Sequence, residues 1–323
     1  MVSISKDEQV TDEVLSAHYC LEKVDKVPGD PETTEFKRRA RLHQGLWREA
    51  KGLEIGSQPI RPKPGQPSRL LGSRIAWDVA WETGANFLNK ATRGAVKDRI
   101  ANRQPHQTLN KDRLYCDLLS SMPMCFNLFG ELQADINLAD SAVHRWWPDV
   151  PGRVTAVLFE WSPGRRLKGQ YLENRSAFDV AFILELDNGA QGVLGVETKY
   201  HEHCKKEKHP PDERYARYRE VSAVTGIIAI DAIDKVAGTE LQQIWLDHLL
   251  AASMTIHSSN CWNWAGFVLV HPAGNQSYGR AAKRYMDCLN KRDSVYVSTL
   301  ESLLAADALP RKSARAFQER YLW

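Results

Sequence analysis

Two stretches, Ser176-Ala177-Phe178-Asp179-Val180 and Gly195-Val196-Glu197-Thr198-Lys199-Tyr200, decide how this chain is read. Between them lie an apolar run, the triplet Asp187-Asn188-Gly189 and a second apolar run, the pattern of two strands around a turn. A two-residue Asn188-Gly189 turn would set Val180 against Glu197 and Phe178 against Lys199, mixing charge into an apolar face. A three-residue loop with Gly189 in the left-handed conformation shifts the pairing by one. Phe178 then meets Thr198, Val180 meets Val196, and Phe182 meets Leu194. A one-residue slip inverts every side chain, so the hydrophobic pattern selects this second register.

In that register Asp179 lies opposite Glu197, with Lys199 two residues along on the same side. Opposed carboxylates sit with Cβ atoms roughly 5 Å apart and repel, so the pair needs a raised pKa or a cation between the groups. Ala181 and Gly195, also partners, are small and are expected to leave room for a ligand. Two carboxylates suit Mg²⁺ or Mn²⁺, which keep water and phosphate oxygens in their other positions. Lys199 could then stabilise an attacking water or a pentavalent phosphorus. Glu-x-Lys alone says little, because such triplets on solvated hairpins are common. Charges ending a strand as apolar as Val193-Leu194-Gly195-Val196 need a reason.

Outward from the hairpin, 154–161 reads as a preceding strand, and 264–270 and 295–297 as following ones. Helices are expected at 212–221, 239–256 (Thr239 as N-cap), 279–289 and 313–321. Upstream of Pro151-Gly152 the chain reads as mainly helical, at 33–51, 75–88, 96–103, 111–120 (stopped by Pro123) and 137–147. Residues 55–69 hold four prolines and two glycines and form a loop. Residues 1–145 are therefore expected as a helical region packed on a core of 146–323, as two parts or as one continuous domain.

Composition bounds the rest. With 43% hydrophobic and 26% charged residues, the 323-residue chain can bury a substantial core. No apolar run approaches a membrane span and the N-terminus has no apolar h-region, so a cytoplasmic protein is expected. The six scattered cysteines include no C-x-x-C pair and read as reduced core filler. A net charge of +3 does not by itself announce a nucleic-acid partner. The ten tryptophans suggest a thick core, with no stacking platform visible in their spacing.

Asp179 followed by Glu197-Thr198-Lys199 on adjacent strands resembles the PD-(D/E)XK nuclease superfamily, with Phe178 where the proline stands. Further segments resemble a bacterial family of proposed restriction endonucleases within it. They are Gln44-Gly45-Leu46-Trp47-Arg48-Glu49, Leu71-Gly72-Ser73-Arg74, Gly84-Ala85-Asn86-Phe87-Leu88, Ser120 to Gly130, Glu160-Trp161-Ser162-Pro163-Gly164-Arg165 and Arg175-Ser176-Ala177-Phe178-Asp179. The likeness covers roughly residues 36–220. It implies an α/β (α+β) restriction-endonuclease-like fold, a mixed sheet flanked by helices with a helical N-terminal region. It also implies a divalent metal, Mg²⁺ or Mn²⁺, on Asp179 and Glu197, with Lys199 near the nucleophilic water. The expected activity is endonucleolytic hydrolysis, with double-stranded DNA as the first substrate. A double-strand cutter suits a two-fold homodimer.

Other residues are candidates of a second rank. Glu160, ending the strand before Asp179, is the first choice for a third metal ligand, ahead of Glu82 and Glu131. Arg165 and Arg166, in the loop beyond Glu160, together with Arg175 and Arg214, are candidates for phosphate contacts. Arg214 and Tyr218 share a helix face and could support Lys199 or touch the substrate backbone, although core and rim packing is the commoner case for Tyr215 and Tyr218. His201-Glu202-His203-Cys204 with His209 has zinc-ligand residue types without finger spacing, and reads as a solvated basic segment. The main alternative is a catalytically silent nuclease fold that binds nucleic acid or a protein. A carboxylate-pair glycosidase is a further one, and would need neither Lys199 nor metal.

Overall fold

The computed structural model describes residues 10–59, 68–104, 107, 109–165, 167 and 169–323. Arg166 lies outside the described residues, as does most of the proline-rich stretch. The chain opens with helices and a small antiparallel pair, β1 (Ile55–Ser57) and β2 (Leu70–Ile75). A five-stranded sheet follows, built from β3 (Arg153–Trp161), β4 (Phe178–Glu185), β5 (Gln191–Thr198), β6 (Trp262–His271) and β7 (Val295–Thr299), side by side in that order. β3, β4 and β5 form an antiparallel meander. β5, β6 and β7 run parallel, so each step between them needs a crossover. Helices Asp212–Thr225 and Gln242–Thr255 lie in the first crossover and Gln276–Met286 in the second. This is the expected mixed sheet flanked by helices, with a helical N-terminal region.

The hairpin register is the expected one. Val180 pairs with Val196, Ala181 with Gly195 and Phe182 with Leu194. The turn closes by Leu186 N–H to Ala190 O at 2.9 Å and Gly189 N–H to Leu186 O at 2.8 Å. Gly189 has φ +77°, the left-handed conformation that makes the third loop residue affordable only without a side chain.

Both faces of the sheet are buried. On one face Val180, Phe182, Leu184, Leu194, Val196, Val268 and Val270 join a core that also holds Phe36, Phe126, Val143 and Phe317. That cluster unites residues from both halves of the sequence. On the other face Ala181, Ile183, Val193, Phe267 and Leu269 pack with Val221, Trp245, Leu249 and Tyr285. Among the described residues no helix is long and apolar enough to cross a membrane.

Four upstream or flanking expectations are corrected. The stretch expected as one helix from residue 75 instead ends β2 at Ile75 and starts helix Trp77–Thr83, which stops at Gly84 (φ +61°). Pro123 does not end a helix. It lies in the first turn of Ser121–Ala134, where backbone N–H groups have no intrahelical acceptor and proline is tolerated. Ser120 caps that helix, accepting from Met122 N–H at 3.2 Å. Thr239 caps a turn and not the helix: it accepts from Leu241 N–H at 3.1 Å, and the helix begins at Gln242. The Phe178 ring, expected beside Val180, joins the opposite core with Ala181 and Val193.

Candidate active site

The regular β4–β5 ladder ends at Val180–Val196, and a side chain takes over where it stops. Thr198 donates both its backbone N–H (2.8 Å) and its hydroxyl (2.7 Å) to Asp179 Oδ2. The carboxylate thus stands where a strand carbonyl would, and the two strands part beyond it. On the far side of β5, Lys199 N–H donates to Val270 O at 2.8 Å, fixing the strand end to β6. Gly195 does not leave room for a ligand, as expected from its size. A Cβ there would lie 2.3 Å from the Phe178 ring, so the missing side chain makes space for that ring.

Glu197 and Lys199 are only 7% and 8% exposed, which removes the reading of a solvated hairpin. Glu197 Oε1 accepts from Lys199 Nζ at 2.6 Å and from Gln243 Nε2 at 2.9 Å. Burial, then the nearby Asp179 charge, push the Glu197 carboxyl up to about 7. Burial is the largest single influence on Lys199 and depresses it, but Glu197, Tyr278, Glu202 and Asp179 together outweigh burial and hold the ammonium charged. The ammonium also lies 5.8 Å from the centre of the Tyr278 ring.

Glu160 comes close to this group. Its carboxyl is pushed up to about 8, by burial first and then by Asp179 and Glu197. It is the penultimate residue of β3 and has φ +48°, a backbone conformation that a glutamate adopts only under constraint. Arg165 is tied to that strained residue: it donates to Glu160 O at 2.6 Å and to Gln104 Oε1 at 3.0 Å. Its guanidinium therefore buttresses the Glu160 turn, which is not the free phosphate hook expected of it. Arg175 and Arg214 are exposed, and no contact joins them to the carboxylates. Tyr218 is core, its hydroxyl accepting from Asn174 at 3.0 Å and its ring edge-on to Trp245, so it does not support Lys199. Glu82 is exposed and Glu131 lies beside Lys90 and Lys312, so neither joins the group.

Two neighbours escaped the sequence reading. Gln243 and Asp247 sit four residues apart on Gln242–Thr255, a helix otherwise filled by Ile244, Trp245, Leu249 and Leu250. That spacing puts both on one face, and a polar pair in an apolar helix was the available signal. Asp247 Oδ2 is buried with no hydrogen-bond partner. Burial, and next the Glu197 charge, raise its carboxyl well above the usual range. A pocket of about 370 Å³ brings Glu197, Lys199, Gln243, Asp247 and Tyr278 together with Lys37 and Arg41.

The histidine-rich segment beyond Lys199 is dispersed among separate partners. His201 lies 2.9 Å from Asp25, which Arg41 also clasps; His203 contacts Lys37 at 3.5 Å; Cys204 donates to Glu240 O at 3.1 Å. Among the described residues no three His, Cys, Asp or Glu side chains are arranged to hold one ion. Glu160 is thus near the carboxylate pair without closing a three-ligand cage.

A sequence model of the PD-(D/E)XK nuclease superfamily matches residues 30–323. The chain belongs to that superfamily. The match reaches past the roughly 36–220 carried by recognisable motifs and takes in β6, β7 and the C-terminal helix. No curated protein and no solved structure matches the chain.

Proposed function

We propose that this protein is a metal-dependent nuclease that hydrolyses nucleic-acid phosphodiester bonds, with DNA as the first substrate to test. The observation that carries this reading is an uncompensated surplus of buried carboxylate. The Asp179 charge raises the buried Glu197 carboxyl, and Asp179 and Glu197 together raise those of Glu160 and Asp247, with Lys199 as the cation bonded to Glu197. A bound cation would offset the orphaned Asp247 oxygen and the raised Glu160 and Glu197 carboxyls. The donor set fits Mg²⁺ or Mn²⁺, which need one or two carboxylates and keep several waters, and does not fit a closed zinc cage. Asp179 and Glu197 would hold the ion, with Glu160 beside them. When bound, such an ion supplies Lewis acidity toward a phosphoryl oxygen and makes water more acidic.

The chain's own groups have separate tasks. Lys199, charged and buried, offers its ammonium to the attacking water and to the charge that builds on phosphorus. Gln243 orients Glu197, and the Thr198 hydroxyl and amide orient Asp179. Tyr278 walls the lysine away from solvent.

A second reading, a nuclease fold that binds nucleic acid or a protein without cutting, is favoured by two observations. No three ligating side chains converge among the described residues, and Lys199 is spent on Glu197. Incubating purified protein with plasmid DNA, and in parallel with RNA, under Mg²⁺, Mn²⁺ or EDTA separates the two. Metal-dependent cutting that Lys199→Ala removes supports the nuclease. Intact plasmid and RNA under every condition, with nucleic acid still bound, would replace it by the silent module.

A further inference from the structure

Beyond Lys199 the chain leaves the sheet as Tyr200-His201-Glu202-His203-Cys204, and side chains take up its backbone groups. The Tyr200 N–H donates to Glu202 Oε2 at 3.0 Å, and the Cys204 N–H to Ser277 Oγ at 3.0 Å. The Tyr200 and Glu202 carbonyls both accept from Asn275 Nδ2, at 2.9 and 2.7 Å. Among the described residues neither carbonyl receives another donor. Asn275 and Tyr200 are both fully buried, so water does not stand in for that amide.

Asn275 precedes helix Gln276–Met286, a place where an asparagine oxygen commonly accepts from a first-turn N–H. Here its side chain does not cap the helix. Its Oδ1 accepts from Ser277 Oγ at 2.8 Å, and both protons of its Nδ2 go to the turn after Lys199. The same connection meets Lys199 at two more points. Val270 O, near the end of β6, accepts from the Lys199 N–H at 2.8 Å, and the Tyr278 ring centre lies 5.8 Å from the Lys199 ammonium. The stretch from Val270 to Tyr278 therefore holds the lysine at its amide, at the carbonyls that follow it and at its charged tip.

We infer that Asn275 is a positioning residue for Lys199, fixing the turn from Tyr200 to Glu202 and thereby keeping the ammonium in place beside Glu197. This role rests on the nuclease reading for what Lys199 does to a phosphodiester, and it deepens that reading by naming what aims the lysine. An ammonium at the end of a flexible four-carbon stem stands only as firmly as the backbone that carries it. A misplacement of about 1 Å, caused away from the chemistry, can cost about 10²-fold in rate. Asn275 is neutral and bonds two carbonyls and a hydroxyl, so it acts on where the ammonium stands and adds no charge to the site. A residue serving its own helix would bond the first turn, and this one does not.

The test follows Lys199 both with and without cleavage. Asn275→Asp is the main variant, because it keeps the shape of the side chain and the oxygen facing Ser277 but replaces the donating amide. Ser277→Ala is a milder one, removing the hydroxyl bonded to Asn275 and to the Cys204 N–H. Phe182→Ala, in the apolar core, controls for lost stability. In EDTA, acetylation by N-hydroxysuccinimidyl acetate is read by peptide mass spectrometry at Lys199, relative to the exposed Lys291. Asn275→Asp is expected to acetylate at Lys199 about 10–100-fold faster than the natural chain, with Ser277→Ala in between and Phe182→Ala close to natural. With Mg²⁺, kcat of Asn275→Asp should fall about 10²-fold while KM changes less than about twofold. Unchanged acetylation in Asn275→Asp, or an equal rise in Phe182→Ala, would overturn the role. If Asn275→Asp does not fold, Ser277→Ala decides by the same comparison. A natural chain that cuts neither DNA nor RNA while the acetylation rises as expected keeps the role and loses the nuclease reading; one that cuts while Asn275→Asp cuts as fast does the reverse.

Discussion

The two faces of the central sheet are equally buried and obey opposite rules. Toward helices Ser121–Ala134 and Arg311–Tyr321, Val180, Phe182, Leu194, Val196 and Val268 are met by Phe126, Phe129 and Phe317, and the face is apolar as far as Thr198. Toward Gln242–Thr255 the middle is just as apolar, with Ile183, Val193, Phe267 and Leu269 against Trp245 and Leu249. At the C-terminal end of β5, however, that second face gathers Glu197, Lys199, Gln243 and Asp247. Burying apolar area is favourable without further conditions, whereas burying these charges is favourable only with partners. The first face therefore holds the fold together, and the second accepts a local cost where chemistry is to be done.

Substitutions on the two faces should separate stability from activity. Lys199→Ala should lower metal-dependent cleavage by about 10²–10³-fold or more, while circular dichroism reports an intact fold. Phe182→Ala, on the apolar face and fully buried against Phe129, should instead cost about 3–5 kcal/mol of stability in denaturant titration. Cleavage per folded Phe182→Ala molecule should stay unchanged. If Lys199→Ala cuts normally, the polar end is structural and the contrast between the faces collapses.

A smaller effect is expected at Gln243, which touches the site only through Glu197. Gln243→Ala should weaken apparent Mn²⁺ affinity or activity about 10–100-fold, with Gln243→Glu failing to rescue it because it adds another carboxylate. Mn²⁺ titration by calorimetry, beside the cleavage rate, reads both.

The smallest effect concerns stability and pH. Glu160 is raised from its ordinary 4.5 to about 8 in the folded protein. Its contribution is complete below the unfolded value and is lost as pH rises through about 8, so metal-free protein should lose stability over that window. Glu160→Gln cannot ionise. In EDTA at pH 8 it should melt on the order of a few degrees above the natural chain, and at pH 5 the two should melt together. An equal melting difference at both pH values would mean that Glu160 does not carry the buried charge.

The hairpin was the most legible part of the molecule. Its side chains alternate with period two, and a slip by one residue would have exposed Val180, Phe182 and Leu194. The Asp187-Asn188-Gly189 turn left one register that avoids this, and the structure has it. Helix Ser121–Ala134 was illegible for the opposite reason. Buried nearly all round, it has no polar face to set a helical period, and Pro123 reads as a stop until its first-turn position is known. Gln243 and Asp247 lie more than forty residues beyond Glu197 and meet it only because the crossover to β6 lays their helix over β5. Trp77 and Trp81 show the same limit: their spacing suits a core helix, and only the packing of Tyr115 behind them turns their rings outward.

By itself the sequence determined the hairpin, its register, and the meeting of Asp179, Glu197 and Lys199, because those depend on alternation and turn geometry between chain neighbours. Only the tertiary structure decided that the charges are buried, that Phe178 fills the space over Gly195, and that Glu160 and Asp247 crowd the pair. Those outcomes depend on which distant element covers a face. Local periodicity says which side of a strand is apolar, but not what will be packed against it.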